Sequence, residues 1–166
     1  MPPLDQGELS FDANSVVDFA KTAMLSMLDS LFRGRAFLPD FVVNELAAAD
    51  IHWGGASVVS LATEAELQVF DDIRRNNPAL GAGEVGAIAV CRLRGARLIS
   101  NDRQARRAAE ELGIPFSGLL AILRHAVDDG LTSGEDAVRI LSEMILAGAW
   151  LSEELVEAFR REVLDH

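Results

Sequence analysis

Cysteine is nearly absent from this chain, and long apolar runs are missing altogether. Cys91 is the only cysteine among 166 residues, which excludes an intrachain disulfide and a zinc site built from thiolates. No apolar run approaches the roughly 20 residues that a membrane-spanning helix needs. The acidic first residues lack the basic and then apolar pattern of a signal peptide. Together these absences predict a soluble, cytoplasmic protein.

Positive charge is scarce overall but locally concentrated. The net charge is −11, from 15 basic and 26 acidic residues, which argues against indiscriminate binding to nucleic acid. Six arginines nevertheless fall between residues 92 and 107 against one acid, giving +5, whereas residues 128–166 carry ten acids against three arginines, giving −7. The arginine cluster either meets a phosphodiester backbone or forms a solvated helix face.

Hydrophobic periodicity predicts short strands that alternate with helices. Predicted strands cover 9–13, 36–38, 97–100 and 114–117, and 58–61 is either a strand or a connector. Predicted helices cover 15–32, 40–49, 63–75, 83–94, 102–112, 118–129, 134–147 and 151–164. This alternation indicates parallel strands with helices on both faces of the sheet. In such sheets the working site lies beyond the carboxyl ends of the strands.

One stretch has the spacing of a dinucleotide-binding motif, with glycines at 81, 83 and 86. That motif needs a strand running directly into the glycines, whereas residues 71–80 form a charged helix end and a proline turn. Glu84 would also repel phosphate oxygens at the start of the helix. We therefore expect no nucleotide cofactor.

Four acids occupy positions that a parallel sheet can bring to one edge. Asp12 ends the first strand, and Asp102 follows the strand at 97–100. Glu84 opens the helix that leads into that strand, and Glu45 lies in the helix after the second strand. Singly, each has an ordinary explanation as a helix cap, a dipole partner or a surface acid. Together they form a pattern that capping alone does not predict.

Four short motifs follow one another along the chain: FDAN at 11–14, PDFVVNEL at 39–46, GEVGAIA at 83–89 and LISNDR at 98–103. With these motifs the chain resembles a PIN domain, close to the VapC-type toxin ribonucleases and their PIN-like relatives. The resemblance covers about residues 8–130 and continues more loosely into the helical tail. It implies an α/β fold, a three-layer α/β/α domain with a short, mostly parallel sheet. It further implies a single domain over 1–166, with a core at about 8–130 and a helical C-terminal extension at 131–166.

The resemblance also assigns roles to the four acids. Asp12, Glu45, Glu84 and Asp102 are implied to be catalytic and to bind Mg²⁺ or Mn²⁺, and carboxylates do suit these hard cations. Asp12, Glu84 and Asp102 are the expected direct ligands, whereas Glu45 is expected to orient a ligand or a water.

Further residues are expected to support this site. Asn14 and Ser100 are candidates to hold the acids or a bound water by hydrogen bonds. Arg103, Arg106 and Arg107 are candidates for RNA binding.

The implied activity is that of a metal-dependent endoribonuclease, the toxin of a toxin–antitoxin pair. The expected partners are RNA as the substrate, an antitoxin protein and a second copy of the chain. Residues 19–32 contain more apolar side chains than one buried face needs, which suggests a dimer or antitoxin surface there. Trp150 is predicted either to pack the tail on the body or to cover a partner. The alternative is a catalytically inactive PIN-fold module that binds protein or RNA, which the acidic net charge favours.

Overall fold

A computed structural model describes residues 4–165 of the chain. One sheet is formed by β1 (Leu9–Phe11), β2 (Ala36–Pro39), β3 (Ser57–Val59), β4 (Arg97–Ile99) and β5 (Phe116–Ser117). Helices of this part of the chain are α1 (Ala13–Lys21), α2 (Leu25–Phe32), α3 (Asp40–Ala48), α4 (Glu64–Asn76), α5 (Ala82–Arg94), α6 (Arg103–Glu111), α7 (Leu119–Asp128), α8 (Gly134–Leu146) and α9 (Glu153–Leu164). None of these helices is long and apolar enough to cross a membrane.

All five strands are parallel, in the order β3-β2-β1-β4-β5. The predicted α/β class and three-layer arrangement are confirmed, and the sheet is parallel throughout rather than mostly parallel. The segment left open at 58–61 is an edge strand, β3, and β5 is the other edge. Because β1 lies in the middle, the residue that follows it lies at the centre of the carboxyl edge.

Each face of the sheet carries its own apolar cluster. Neighbouring residues of a strand point to opposite faces, so Leu98 joins the cluster of α4, α5 and α6, whereas Ile99 joins the cluster of α1, α2 and α7. The tail helices α8 and α9 add Ile140 and Phe159 to the second cluster. The division into a core at 8–130 and an extension at 131–166 stays a prediction.

The prediction of a single helix over 15–32 is wrong, because two helices, α1 and α2, occupy this segment. The Met24 amide donates to the Phe19 carbonyl at 2.8 Å, and the Ala23 amide donates to the Ala20 carbonyl at 3.2 Å. Ala23 is left-handed, with φ 58°. These bonds form a Schellman ending, which glycine usually marks in a sequence. Alanine occupies that position here, so the residue types did not indicate the break.

The glycine-rich stretch serves close packing. It is preceded by α4 and a turn, not by a strand. A Cβ atom at Gly86 would lie 3.2 Å from the Phe41 ring and 3.3 Å from Pro39, so glycine lets α5 close onto β2 and α3. The Ser10 hydroxyl of β1 donates to the Ala87 carbonyl of α5 at 2.8 Å. α5 is thereby fixed against the middle of the sheet, and its first turn lies at the carboxyl edge.

Candidate active site

Asp12 occupies the centre of the carboxyl edge. Its amide donates to the Ile99 carbonyl at 3.1 Å, which ties it to β4. It caps α1, because its Oδ1 accepts the Ser15 amide at 2.9 Å. The side chain is buried, with 3 % of its surface exposed. A carboxylate buried this deep in a protein needs hydrogen bonds or a nearby positive charge to offset the loss of its contact with water.

Asp102 leaves the same edge from the neighbouring strand. Phe11 pairs with Ile99 in the parallel register of β1 and β4, so the chain segments that follow the two strands run side by side. Asp102 caps α6 by accepting the Ala105 amide at 2.8 Å. Its own amide donates to the Ser100 hydroxyl at 3.1 Å. The turn after β4 is thus built to hold Asp102 next to Asp12.

Glu84 and Glu45 approach from two helices. Glu84 is half-buried in the first turn of α5, where its Oε2 accepts the Gly81 amide at 2.9 Å. Glu45 is exposed on α3, and its carboxylate lies where a Cβ atom on Gly83 would be. Gly83 therefore leaves room for the Glu45 side chain at the start of α5.

The charges of neighbouring acids act on Asp12 and on Glu84. Burial raises the pKa of Asp12, the Ser100 and Ser15 hydrogen bonds lower it, and the charge of Asp102 raises it further. Burial also raises the pKa of Glu84, against the Gly81 amide, and the charges of Asp102, Asp12 and Glu45 add to the increase. The structure therefore brings Glu84 within the field of the other three acids, and Asp12 within the field of Asp102.

Two residues near Asp12 were not predicted. Ser15 donates its amide to Asp12, and its hydroxyl donates to the Ile99 carbonyl at 3.4 Å. Asp18, one helical turn further along α1, has its pKa raised to about 6 by burial and by the charge of Asp12. The three-residue spacing from Ser15 to Asp18 puts both on one helix face, and that spacing is the signal that could have identified them.

Asn14 does not hydrogen-bond to Asp12 as Ser15 does. It is exposed in the first turn of α1, and its side chain makes no hydrogen bond within residues 4–165. Ser15 occupies the place near Asp12 that was expected for Asn14. Ser100, by contrast, lies where it was expected, between Asp12 and Asp102.

The donor chemistry of this cluster fits a hard divalent cation, because carboxylates are its preferred ligands and a cation would offset their repulsion. Within residues 4–165, no three His, Cys, Asp or Glu side chains converge closely enough to hold an ion as they stand. Asp12, Glu84 and Asp102 each accept a hydrogen bond from a backbone amide at the start of a helix. Binding an ion would draw carboxylates from these caps or use their second oxygens.

A groove of about 840 Å³ opens beside the cluster, and we call it the α6–α9 groove. Asp102 lies at its lining, together with Arg103, Arg106 and Arg107 of α6. The chain between α8 and α9, including Trp150, and the first turn of α9 also line it. All three arginines predicted to bind RNA therefore lie in one groove next to a predicted metal ligand.

The other arginines of the basic segment have different surroundings. Arg94 forms an ion pair with Glu8 at 2.9 Å. Arg97 is buried, and its Nη1 donates to the Ser117 hydroxyl at 2.8 Å. The +5 charge of residues 92–107 is thus not one basic surface, and only the part on α6 faces the groove.

A parallel three-layer α/β fold with acids gathered at the carboxyl edge defines a class of protein whose work is done beyond the strand ends. The family model DUF3368, described as a PIN domain, matches residues 9–164. The chain therefore belongs to the PIN-domain family, and the resemblance drawn from the four motifs is confirmed. PIN domains are generally nucleases, and PIN nucleases typically use divalent metals. Comparison with curated proteins finds no match.

Proposed function

We propose that the protein is a metal-dependent endoribonuclease that hydrolyses RNA phosphodiester bonds. Asp12, Glu84 and Asp102 would hold Mg²⁺ or Mn²⁺, and Glu45 would orient a ligand or a water. The observation that carries this proposal is that Asp12 and Asp102 follow the carboxyl ends of the paired strands β1 and β4. Glu84, whose pKa is raised by burial and by the charges of Asp102, Asp12 and Glu45, lies near them. Acids from four different parts of the chain lie near the carboxyl edge of a PIN fold, which is more than helix capping requires.

The surrounding residues prepare the acids for this role. Burial raises the pKa of Asp12, and hydrogen bonds from Ser100 and Ser15 offset part of this increase; a bound cation would favour the charged form further. When bound, the cation would supply Lewis acidity, making water more acidic and stabilising charge on the phosphate oxygens. Burial lowers the pKa of Arg106, and the nearby charge of Asp12 offsets part of that decrease. Its guanidinium would be available to a phosphate near the acids.

The test combines metal-dependent stability with cleavage of a circular RNA, which an endonuclease opens and an exonuclease cannot. Mn²⁺ at 100 times its Kd should stabilise the fold by about 2.7 kcal/mol, which raises Tm by about 5–10 °C in a chain of this length. Asp12→Asn should remove most of this increase and slow cleavage at least about 100-fold. Asp71→Asn, on the exposed side of α4, is the matched control. Equal cleavage by wild type and Asp12→Asn, or full cleavage in EDTA, would refute the proposal.

We further propose that this nuclease is a cytoplasmic toxin held inactive by an antitoxin protein and that it works as a homodimer. The PIN family supports the nuclease part of this proposal. Expression of the wild type should arrest growth, whereas Asp12→Asn should not, and the mass in solution should be twice that of the chain. The apolar residues Met24 and Leu25, which suggested a dimer surface, pack partly on the chain's own apolar cluster. A monomer mass would end the dimer proposal without affecting the nuclease.

The second candidate is an inactive PIN-fold module that binds protein or RNA. The net charge of −11 favours it, and so do the backbone amides that already engage three of the acids. Tight RNA binding without cleavage at any Mg²⁺ or Mn²⁺ concentration would decide for this module.

A further inference from the structure

An acid that lies near Asp12, outside the four predicted acids, has no hydrogen-bonded partner. Asp18 is half-buried on α1, one helical turn beyond Ser15, whose amide donates to Asp12. Among residues 4–165, no group donates a hydrogen bond to the Asp18 carboxylate, and no basic side chain forms an ion pair with it. Asp12 itself, by contrast, is held by the Ser15 amide. Both oxygens of the Asp18 carboxylate therefore stay free, in a position where an unpaired carboxylate costs free energy.

The only cation of α1 is used elsewhere. Lys21 is the single lysine of the chain and follows Asp18 by three residues, a spacing that suits an ion pair on a helix surface. Its Nζ instead donates to the Ala147 carbonyl at 3.4 Å, at the end of α8. Lys21 thereby helps to hold the turn after α8. Trp150 in that turn is 81 % exposed, so it does not pack the tail on the body, the first of its two predicted alternatives.

The surroundings of Asp18 thus disfavour the charge that it carries at neutral pH. Burial and the charge of Asp12 raise its pKa to about 6, and Lys21 offsets only part of this increase. Acids that are placed where they lower stability, beside other acids with raised pKa values, are typical of functional sites. What this pair of carboxylates lacks is a positive charge nearby, and a cation bound at Asp12 would supply one.

We propose that Asp18 is a positioning residue of the candidate metal site, and that its charge adds to that of Asp12 to tighten the binding of Mg²⁺ or Mn²⁺. This inference rests on the proposed function, which places the cation at Asp12. A charge that repels the Asp12 carboxylate also attracts a cation held by that carboxylate, and partial burial strengthens both effects. Asp18 therefore lowers the stability of the metal-free fold and raises its affinity for the cation.

The test measures Mn²⁺ binding without RNA, from the electron paramagnetic resonance signal of free Mn²⁺, so that it does not depend on cleavage. The measurement is made at about pH 7.5, where a carboxyl with a pKa of about 6 is charged. Asp18→Asn should weaken Mn²⁺ binding by about 10-fold, the lower end of what residues behind the ligands of a metal site contribute. The melting temperature of the same variant in EDTA should rise. A variant with a damaged fold would lose affinity and melting temperature together.

Three control variants separate the charge of Asp18 from other effects on α1. Asp71→Asn removes an exposed acid of α4 and should bind Mn²⁺ like the wild type. Asp18→Glu keeps the charge and should keep most of the affinity. Lys21→Gln removes the hydrogen bond to Ala147 but leaves Asp18 in place, so it should not weaken Mn²⁺ binding.

Cleavage distinguishes a role in metal binding from a role in the chemical step. Asp18→Asn should need about 10-fold more Mn²⁺ than the wild type for half of its maximal rate, and it should reach the wild-type rate when Mn²⁺ is saturating. A rate that stays low at saturating Mn²⁺ would overturn the proposal, because the loss would then lie beyond metal binding.

The outcomes also separate this inference from the proposed function. If the wild type binds Mn²⁺ and Asp12→Asn does not, but Asp18→Asn binds as tightly as Asp71→Asn, the role of Asp18 is refuted and the nuclease remains. If Asp18→Glu binds as weakly as Asp18→Asn, or Lys21→Gln weakens binding equally, the charge of Asp18 is not the cause and the inference is overturned. If the wild type binds neither Mn²⁺ nor Mg²⁺, the metal-dependent nuclease is refuted together with this inference.

Discussion

Replacing Asp18 by Asn should make the protein more stable at neutral pH. Asp18 is half-buried on α1, and burial together with the charge of Asp12 raises its pKa from 3.8 to about 6, against a smaller opposite effect of Lys21. At neutral pH the carboxylate is therefore charged in an environment that disfavours the charge. Asn keeps the size of the side chain and removes that charge.

The magnitude follows from the difference between the two pKa values. A pKa of about 6 in the folded state and 3.8 in the unfolded state corresponds to about 3 kcal/mol. Solvent screens a half-exposed group, so we expect about 1 kcal/mol, or a Tm higher by about 2–4 °C. Because the folded state binds the proton more tightly, stability falls as pH rises from about 4 to 6 and is constant above. The benefit of Asp18→Asn should therefore be present above pH 7 and absent near pH 3.8.

The assay is thermal unfolding of wild type and Asp18→Asn in EDTA at several pH values between about 4 and 8, a range that spans the titration. Asp71→Asn, an acid-to-amide change on an exposed part of α4, should show no such pH-dependent difference. In an Asp12→Asn background the benefit should shrink, because one of the causes of the raised pKa is removed. If Asp18→Asn is no more stable than wild type at neutral pH, or gains as much in acid, the proposed repulsion at the sheet edge is refuted.

Two further changes test the site and the fold. Ser100→Ala removes a hydrogen bond that lowers the pKa of Asp12, and it removes the acceptor of the Asp102 amide. It should cost about 1 kcal/mol of stability and move the acidic limb of the pH profile of cleavage to higher pH. An unmoved limb would contradict the coupling between Ser100 and Asp12. Ala23→Gly should raise the free energy of unfolding by about 0.5–1 kcal/mol, because glycine adopts the left-handed conformation without strain. Urea unfolding measures this free energy. A lower value than in the wild type would show that the Schellman ending is not strained at Ala23.

The helix break at Ala23 and the role of Ser15 show where residue patterns lose information. Helix ends are readable when glycine, proline or a capping side chain marks them, as Thr63 and Gly95 do for α4 and α5. At Ala23 the left-handed conformation is maintained by the bonds of the Schellman ending, and the residue type does not reveal it. Asn14 was a candidate to hold the acids or a bound water, but the start of α1 exposes Asn14 and buries Ser15, whose amide donates to Asp12.

The sequence by itself determined the fold class and the order of the four acids. Short apolar strands alternating with amphipathic helices permit little else than a parallel sheet with helices on both faces, and each acid stands at a fixed distance from a strand or helix end. Local chemistry is enough for this, because period and capping depend on neighbours in the chain.

Only the tertiary structure decided which charges meet. The pairing of β1 with β4 brings Asp12 beside Asp102, and the packing of α5 against α3 brings Glu84 within the field of Glu45. The same packing buries Arg97, leaves the α6 arginines in the lining of the groove and exposes Trp150. Burial and distance set the strength of a charge interaction, and both depend on residues far apart in the sequence.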